Sequence, residues 1–244
     1  MRVVSLAPSN TEIIYELGAE DMLIATTSLC DYPEQATRKP SLGGWTEGID
    51  TEKLIELNPD LVLCSDDLQN DIVERLRSED LEVLQVKPHT LEEVYSSIIT
   101  IGKALNKTEE AEKTVENMKK ELDEISLQGK KIYCEEWLEP PHFSGNWVPG
   151  LIEKIDGKYF AEEGVRSSTF KLEDLKSFDP DYIFLSICGA GENVSVNEVG
   201  DREDWNTIKA VESNDLYVLD DSLLNRPTSR LVKAAKQIEK SVES

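Results

Sequence analysis

Only two imidazoles, His89 and His142, occur in the 244 residues, and their separation does not fit a spaced metal-ligand pair. The chain carries no HExxH zinc motif, no phosphate loop and no nucleophilic triad. Acidic neighbours such as Asp66-Asp67 and Glu135-Glu136 could share a proton in an acid–base pair, but 49 acids against 26 bases make such neighbours frequent by composition alone. Gly189-Ala190-Gly191 lacks the last glycine and the helix of a dinucleotide fingerprint. No catalytic residue is assigned, and the protein is expected not to be an enzyme. What remains is recognition chemistry. Asp31-Tyr32-Pro33, Gly43-Gly44-Trp45 and the run from Trp137 to Trp147 place three of the four tryptophans among Pro and Gly residues in loops. Flat aromatic faces of that kind suit a broad, partly apolar small molecule.

Such loops need a scaffold. Apolar runs near 2–6, 60–64 and 82–86 alternate with helical stretches near 10–18, 68–78 and 91–105, and strands near 131–135, 181–187 and 216–219 repeat the rhythm before a terminal helix near 228–242. This pattern predicts an α/β fold with parallel sheets, whose loops at the carboxyl ends of strands are the customary ligand sites. The wiring is duplicated. Glu52–Asp60 followed by Leu61-Val62-Leu63 recurs as Glu173–Asp181 followed by Tyr182-Ile183-Phe184, at a constant offset of 121 residues. A weaker echo relates Arg2-Val3-Val4, the loop with Asn10 and Gly18 to Lys131-Ile132-Tyr133, the loop with Asn146 and Gly157. Two lobes with related wiring are expected, over 1–105 and 129–244, joined by a connecting helix over 106–128. A Thr90/Glu93 capping box starts the long helical segment, Asn106-Lys107-Thr108 interrupts it, and Ala111, Val115, Met118, Leu122 and Ile125 form its apolar stripe.

A formal net charge of −23 argues against nucleic acid as a partner, because phosphate binding needs clustered Lys and Arg. No apolar run is long enough for a membrane span, so no direct membrane insertion is expected. The start of the sequence has neither a signal h-region nor a lipobox, which predicts a cytoplasmic protein; a trimmed start would fit a periplasmic or cell-surface location. Cys30, Cys64, Cys134 and Cys188 lack metal-ligand spacing and are read as reduced, mostly buried thiols.

Several motifs carry a resemblance. Arg2 to Glu12, Asp31-Tyr32-Pro33, Gly44-Trp45, Leu57 to Val62, Pro140-Pro141 with Ser144-Gly145, and Arg226-Pro227 with Arg230 resemble the single-helix-backbone substrate-binding proteins of ABC importers, and within them the cobalamin-binding members. The resemblance covers nearly the whole chain in order. It implies two Rossmann-like lobes with parallel sheets joined by one long backbone helix, a corrinoid (cobalamin or cobinamide) as ligand in a cleft between the lobes, no intrinsic cofactor, and docking on a membrane permease. Position by position it implies Tyr32 and Trp45 as first-lobe wall residues, the Pro140–Gly145 loop as the facing wall, and Glu52 and Glu173 as acidic permease-docking residues. Ser65 and His142 stand where the family usually has aromatics.

The expected ligand-binding set is thus Asn10, Tyr32, Trp45, Trp137, Pro141, His142, Phe143, Gly145, Asn146, Trp147, Arg226 and Arg230, with the two asparagines near the floor of the cleft. Arg226 and Arg230 offer directed donors to a phosphate or amide oxygen. His142 is the candidate axial ligand for a metal carried by the ligand, cobalt or iron. A monomer is expected. The alternatives are a haem, siderophore or other metal-chelate binder, and an intracellular corrinoid carrier or sensor.

Overall fold

The computed structural model describes residues 1–44 and 48–243. The chain divides into two compact units, Met1–Pro88 with Tyr95–Glu116 and His89–Val94 with Asn117–Ser244. The division runs through the helices Leu91–Ala104 and Thr108–Asp123, whereas the sequence reading placed its boundaries at 105 and 129.

The first unit holds strands β1 (Val3–Ser5), β2 (Leu23–Ala25), β3 (Gly43–Gly44), β4 (Gly48–Ile49), β5 (Leu61–Ser65) and β6 (Val83–Val86). Four of them form a parallel sheet in the order β2-β1-β5-β6, and β3 and β4 pair antiparallel. The second unit holds β7 (Lys131–Leu138), β8 (Pro141–Phe143), β9 (Lys158–Tyr159), β10 (Tyr182–Leu185) and β11 (Leu216–Val218). Its order is β11-β10-β7-β8, with β9 parallel to the start of β7 and β8 antiparallel to its end. The parallel part, β9-β7-β10-β11, reproduces the wiring of the first sheet.

The repeated Pro-Asp motif has the same structural job in both units. After the helix Thr51–Glu56, Asn58 turns with φ +44, and Asp60 accepts from the Arg2 amide at 2.6 Å while its own amide returns a bond to the Arg2 carbonyl at 2.8 Å. After the helix Leu172–Phe178, Asp179 turns with φ +52, and Asp181 makes the same reciprocal pair with Lys131, at 2.9 and 2.8 Å. Asn and Asp tolerate this left-handed turn better than other side chains. The basic side chains match as well: Arg2 donates to the Leu57 carbonyl and Lys131 to the Phe178 carbonyl, both at 2.7 Å. The register that results is also the same, Val3 opposite Leu61 and Ile132 opposite Tyr182.

Thr90 and Glu93 form the expected capping box: the Glu93 amide donates to the Thr90 hydroxyl at 3.2 Å, and the Glu93 carboxylate accepts from the amides of Thr90 and His89. The interruption falls at Asn106, with φ +58. A Cβ on Gly102 would lie 2.4 Å from that of Ala111, so only glycine allows the approach of the two helices there. Ala111, Met118, Leu122 and Ile125 of the stripe are buried. Each sheet has its own core: Val4, Leu54, Val62, Val73 and Leu76 pack in the first unit, and Tyr133, Ile183, Leu185 and Trp205 in the second. All four cysteines are free and all but Cys188 are buried; burial pushes the Cys64 and Cys134 thiols up to about 12, which leaves them unreactive.

Burial alone would raise the Asp181 carboxyl, but the Lys131 amide and the Lys209 ammonium outweigh it and hold the group below the usual carboxylate range. Its contribution is therefore complete above the ordinary carboxylate pKa and is lost as pH falls through the depressed folded value. Asp181→Ala should cost about 1–3 kcal/mol at neutral pH, the scale of hydrogen bonds to a charged group. Denaturant unfolding of both proteins across the acid range should show the difference shrinking as pH falls. A difference independent of pH would remove the carboxylate from the clamp.

Candidate functional site

The large hydrophobic side chains left exposed among the described residues are Met1, Leu29, Tyr32, Leu68, Trp137 and Val165. Apart from the terminal Met1, all of them lie at or just beyond the carboxyl ends of parallel strands: Leu29 and Tyr32 after β2, Leu68 after β5, Trp137 near the end of β7 and Val165 after β9. Exposed apolar groups gathered at one kind of position mark a contact surface, whereas scattered ones carry no meaning.

In the first unit they border a cavity of about 110 Å3 lined by Leu6, Thr27, Leu29, Gly44, Gly48, Ile49, Leu68, Gln69 and Ile72. Leu6 directly follows β1, Leu68 and Gln69 come shortly after β5, and Gly44, Gly48 and Ile49 belong to the β3–β4 ribbon. Tyr32 follows on the same loop as Leu29 and is 47% exposed. Trp45 lies outside the described residues.

In the second unit β7 runs past the sheet and pairs with β8, with Trp137 opposite His142 and Leu138 opposite Pro141. Trp137 is half exposed, its indole N–H donating to the Glu139 carbonyl at 3.1 Å. His142 Nδ1 lies 2.7 Å from the Pro140 carbonyl. A carbonyl only accepts, so Nδ1 carries the proton of this bond, and in the neutral ring Nε2 presents its lone pair. Burial pushes the neighbouring Glu136 carboxyl up, opposed by a Ser167 hydrogen bond and by the His142 ring.

The structure redistributes the rest of the expected set. Phe143 does not face a ligand wall: it is 6% exposed and packs edge-to-face on Phe160 in the core of its unit, because alternation along β8 turns it inward when His142 turns outward. Gly145 is a packing glycine, since a Cβ there would come within 2.3 Å of the Val165 carbonyl. Asn10 is inside the helix Pro8–Glu16 and not in a loop; it is 1% exposed and donates to the Cys64 carbonyl at 3.0 Å. Asn146 adopts φ +53 and places its Oδ1 3.3 Å from His89 Nδ1. Trp147 is half-buried and donates to the Leu224 carbonyl at 3.0 Å. Arg226 and Arg230 are partly exposed, and Arg230 donates to the Ser222 hydroxyl at 3.0 Å. Glu52 and Glu173 are exposed first-turn residues of the matching helices Thr51–Glu56 and Leu172–Phe178. Among the described residues no group of three or more His, Cys, Asp or Glu is arranged to hold a metal ion, and no helix is long and apolar enough to cross a membrane.

Sequence reasoning passed over the pair that supports the second-unit hairpin. Glu135 is fully buried and takes a bidentate pair of bonds from Arg202 at 2.7 and 2.8 Å and a third from the Tyr133 hydroxyl at 3.0 Å. Arg202 also donates to the Leu138 carbonyl and lies 4.7 Å from the centre of the Trp205 ring. Burial raises the Glu135 carboxyl, and Arg202 opposes that rise. A glutamate directly after the apolar run Ile132-Tyr133-Cys134, still within the expected strand, was the available signal.

A family model described as periplasmic binding protein matches residues 3–223. The chain belongs to the periplasmic binding protein family. It is 27% identical to an uncharacterized ABC transporter substrate-binding lipoprotein of Bacillus subtilis, over 99% of this chain and 79% of that one. It is 26% identical to a vitamin B12-binding protein of Vibrio campbellii, over 97% and 87%. The solved periplasmic heme-binding protein of Vibrio cholerae superposes with a TM-score of 0.84 at 20% identity, covering 100% of this chain and 99% of that one. The motif resemblance and the expected fold of parallel α/β sheets are therefore both borne out, and the family is one of substrate-binding transport proteins.

In this family member the second-unit hairpin hangs on the Glu135–Arg202 pair. Arg202→Ala leaves a buried carboxylate without its cation and should cost about 3–5 kcal/mol. Adding Glu135→Gln to that variant should restore part of the loss in thermal melts. No recovery in the double variant would show that Arg202 acts through its packing on Trp205 alone.

Proposed function

We propose that this chain is the substrate-binding component of an ABC-type uptake system and that its ligand is a corrinoid, cobalamin or cobinamide. The observation that carries the reading is the collection of exposed apolar side chains at strand carboxyl ends, Leu29, Tyr32 and Leu68 in one unit and Trp137 beside His142 in the other. A corrinoid is a broad disc with apolar faces and a rim of amides, so it needs apolar contact area and directed donors together. Arg226, Arg230 and Asn146 are candidate donors. The vitamin B12-binding relative supports the ligand class.

His142 refines the proposal. A metal-bound imidazole generally donates its other N–H to a carbonyl or carboxylate, and His142 already has that arrangement through Pro140. Its Nε2 would take the exchangeable axial position of the ligand's own metal. Haem offers the same open position, and the fold shared with a heme-binding protein makes it the second reading. Glu52 and Glu173, exposed at equivalent turns, would meet basic residues of a permease, and the first-turn helix dipole favours them there in any case.

Titration with aquocobalamin, cobinamide and haemin, followed by absorbance and calorimetry, tests both points. A corrinoid should bind with a shift of its absorbance bands, and His142→Ala should abolish the shift while retaining most of the affinity. Tight haemin binding without any corrinoid response would overturn the ligand assignment. Identical spectra for wild type and His142→Ala would overturn the coordination alone.

A further inference from the structure

Leu68 is 73% exposed, yet its loop is held by several hydrogen bonds. The Leu68 amide donates to Asp66 Oδ1 at 2.7 Å, and Gln69 bridges the Leu6 carbonyl and the Ser65 amide, each at 2.7 Å. From β6 and just beyond it, Gln85 donates to the Asp66 carbonyl at 2.6 Å, and Lys87 to Asp67 and Asn70, both at 2.8 Å. A leucine held out in water gains nothing from hydrophobic burial, so this network holds in place, in advance of a contact, the backbone that presents an apolar side chain.

The neighbouring cavity has a complementary property. Its two polar side chains are already engaged inside the protein: Gln69 through both ends of its amide, and Thr27 with the Cys30 thiol at 3.3 Å. Among the described residues, the remaining side chains that line it, Leu6, Leu29, Ile49, Leu68 and Ile72, are hydrocarbon. A charged or strongly polar group entering would lose its water and find no side-chain partner among these described residues, which carries a large desolvation cost.

We infer that this first-unit cavity, with Leu68 as its preset rim, is a subsite for an uncharged hydrocarbon part of the bound molecule, such as a methyl-bearing edge or an aromatic ring. It rests on the proposed function for the identity of the whole ligand, and on the first unit alone for its own chemistry.

The test uses a probe independent of any corrinoid. With Leu and Ile methyl groups labelled, toluene titrated into the full chain should shift the Leu6, Leu29, Ile49, Leu68 and Ile72 methyl resonances along one saturable curve. Benzylammonium is the control, since a chain of formal charge −23 attracts cations in general and would favour it if charge decided binding. It should bind at least tenfold more weakly. Ile72→Trp, which fills the cavity, should remove the toluene response, and Leu68→Ser should weaken it. Equal or tighter benzylammonium binding, or toluene shifts that survive in folded Ile72→Trp, would overturn the subsite. So would the absence of any saturable toluene response. If toluene behaves as expected while no corrinoid binds, the subsite stands and the ligand assignment fails; cobalamin binding that is unchanged in Ile72→Trp overturns the subsite and leaves the ligand assignment intact.

Discussion

Parallel strands have no hairpin turn to fix their register, and a slip of one residue would turn every side chain to the wrong face. Here an aspartate supplies the missing constraint in each unit. Asp60 and Asp181 follow a proline, accept the amide at the start of β1 or β7, and return their own amide to the same residue's carbonyl. The proline ends the helix, the residue before it turns left-handed, and the carboxylate then clamps the two central strands side by side. Duplicating the motif duplicates the register, and with it the set of loops that emerge at the carboxyl ends of the strands.

Those loops are built differently from the rest of the surface. A buried polar side chain in each unit helps to hold them: Gln69 ties the Leu68 loop to β1 and β5, and Glu135 ties β7 to the segment around Trp205 through Arg202. A buried ion pair is a weak source of net stability compared with an apolar core, but losing one partner is costly. It is therefore suited to fixing the geometry of a hairpin that carries Trp137 and His142 on its outer face. The exposed apolar side chains and the ordered polar frame behind them belong together, because an aromatic or aliphatic contact presented rigidly loses less entropy when it binds.

The sequence made the scaffold legible because scaffold signals are local and periodic. The offset between Pro59-Asp60 and Pro180-Asp181, the Thr90/Glu93 capping box and the break at Asn106 each depend on neighbours a few residues apart. The site was less legible for two physical reasons. Residues 141–143 were read as one loop facing one way, but they form a strand, and its two-residue period sends Phe143 to the core while His142 stays outside. Gly145 and Asn10 respond to distant partners, the Val165–Ser167 backbone and the Cys64 carbonyl, which no local pattern encodes. Leu68 had a readable signal, one leucine within Ser-Asp-Asp-Leu-Gln-Asn, but a single apolar residue in a polar turn has no periodicity to draw attention to it.

The central claim is that ligand contact falls on the carboxyl-end loops of each sheet. Amide hydrogen exchange with and without saturating cobalamin measures it directly. The account predicts added protection in the segments after β2 and β5, around Leu29–Tyr32 and Asp66–Gln69, and in the β7–β8 hairpin. Protection confined instead to the amino-end turns, such as Gly18–Met22, Glu79–Glu82 and Ser126–Lys130, would contradict it.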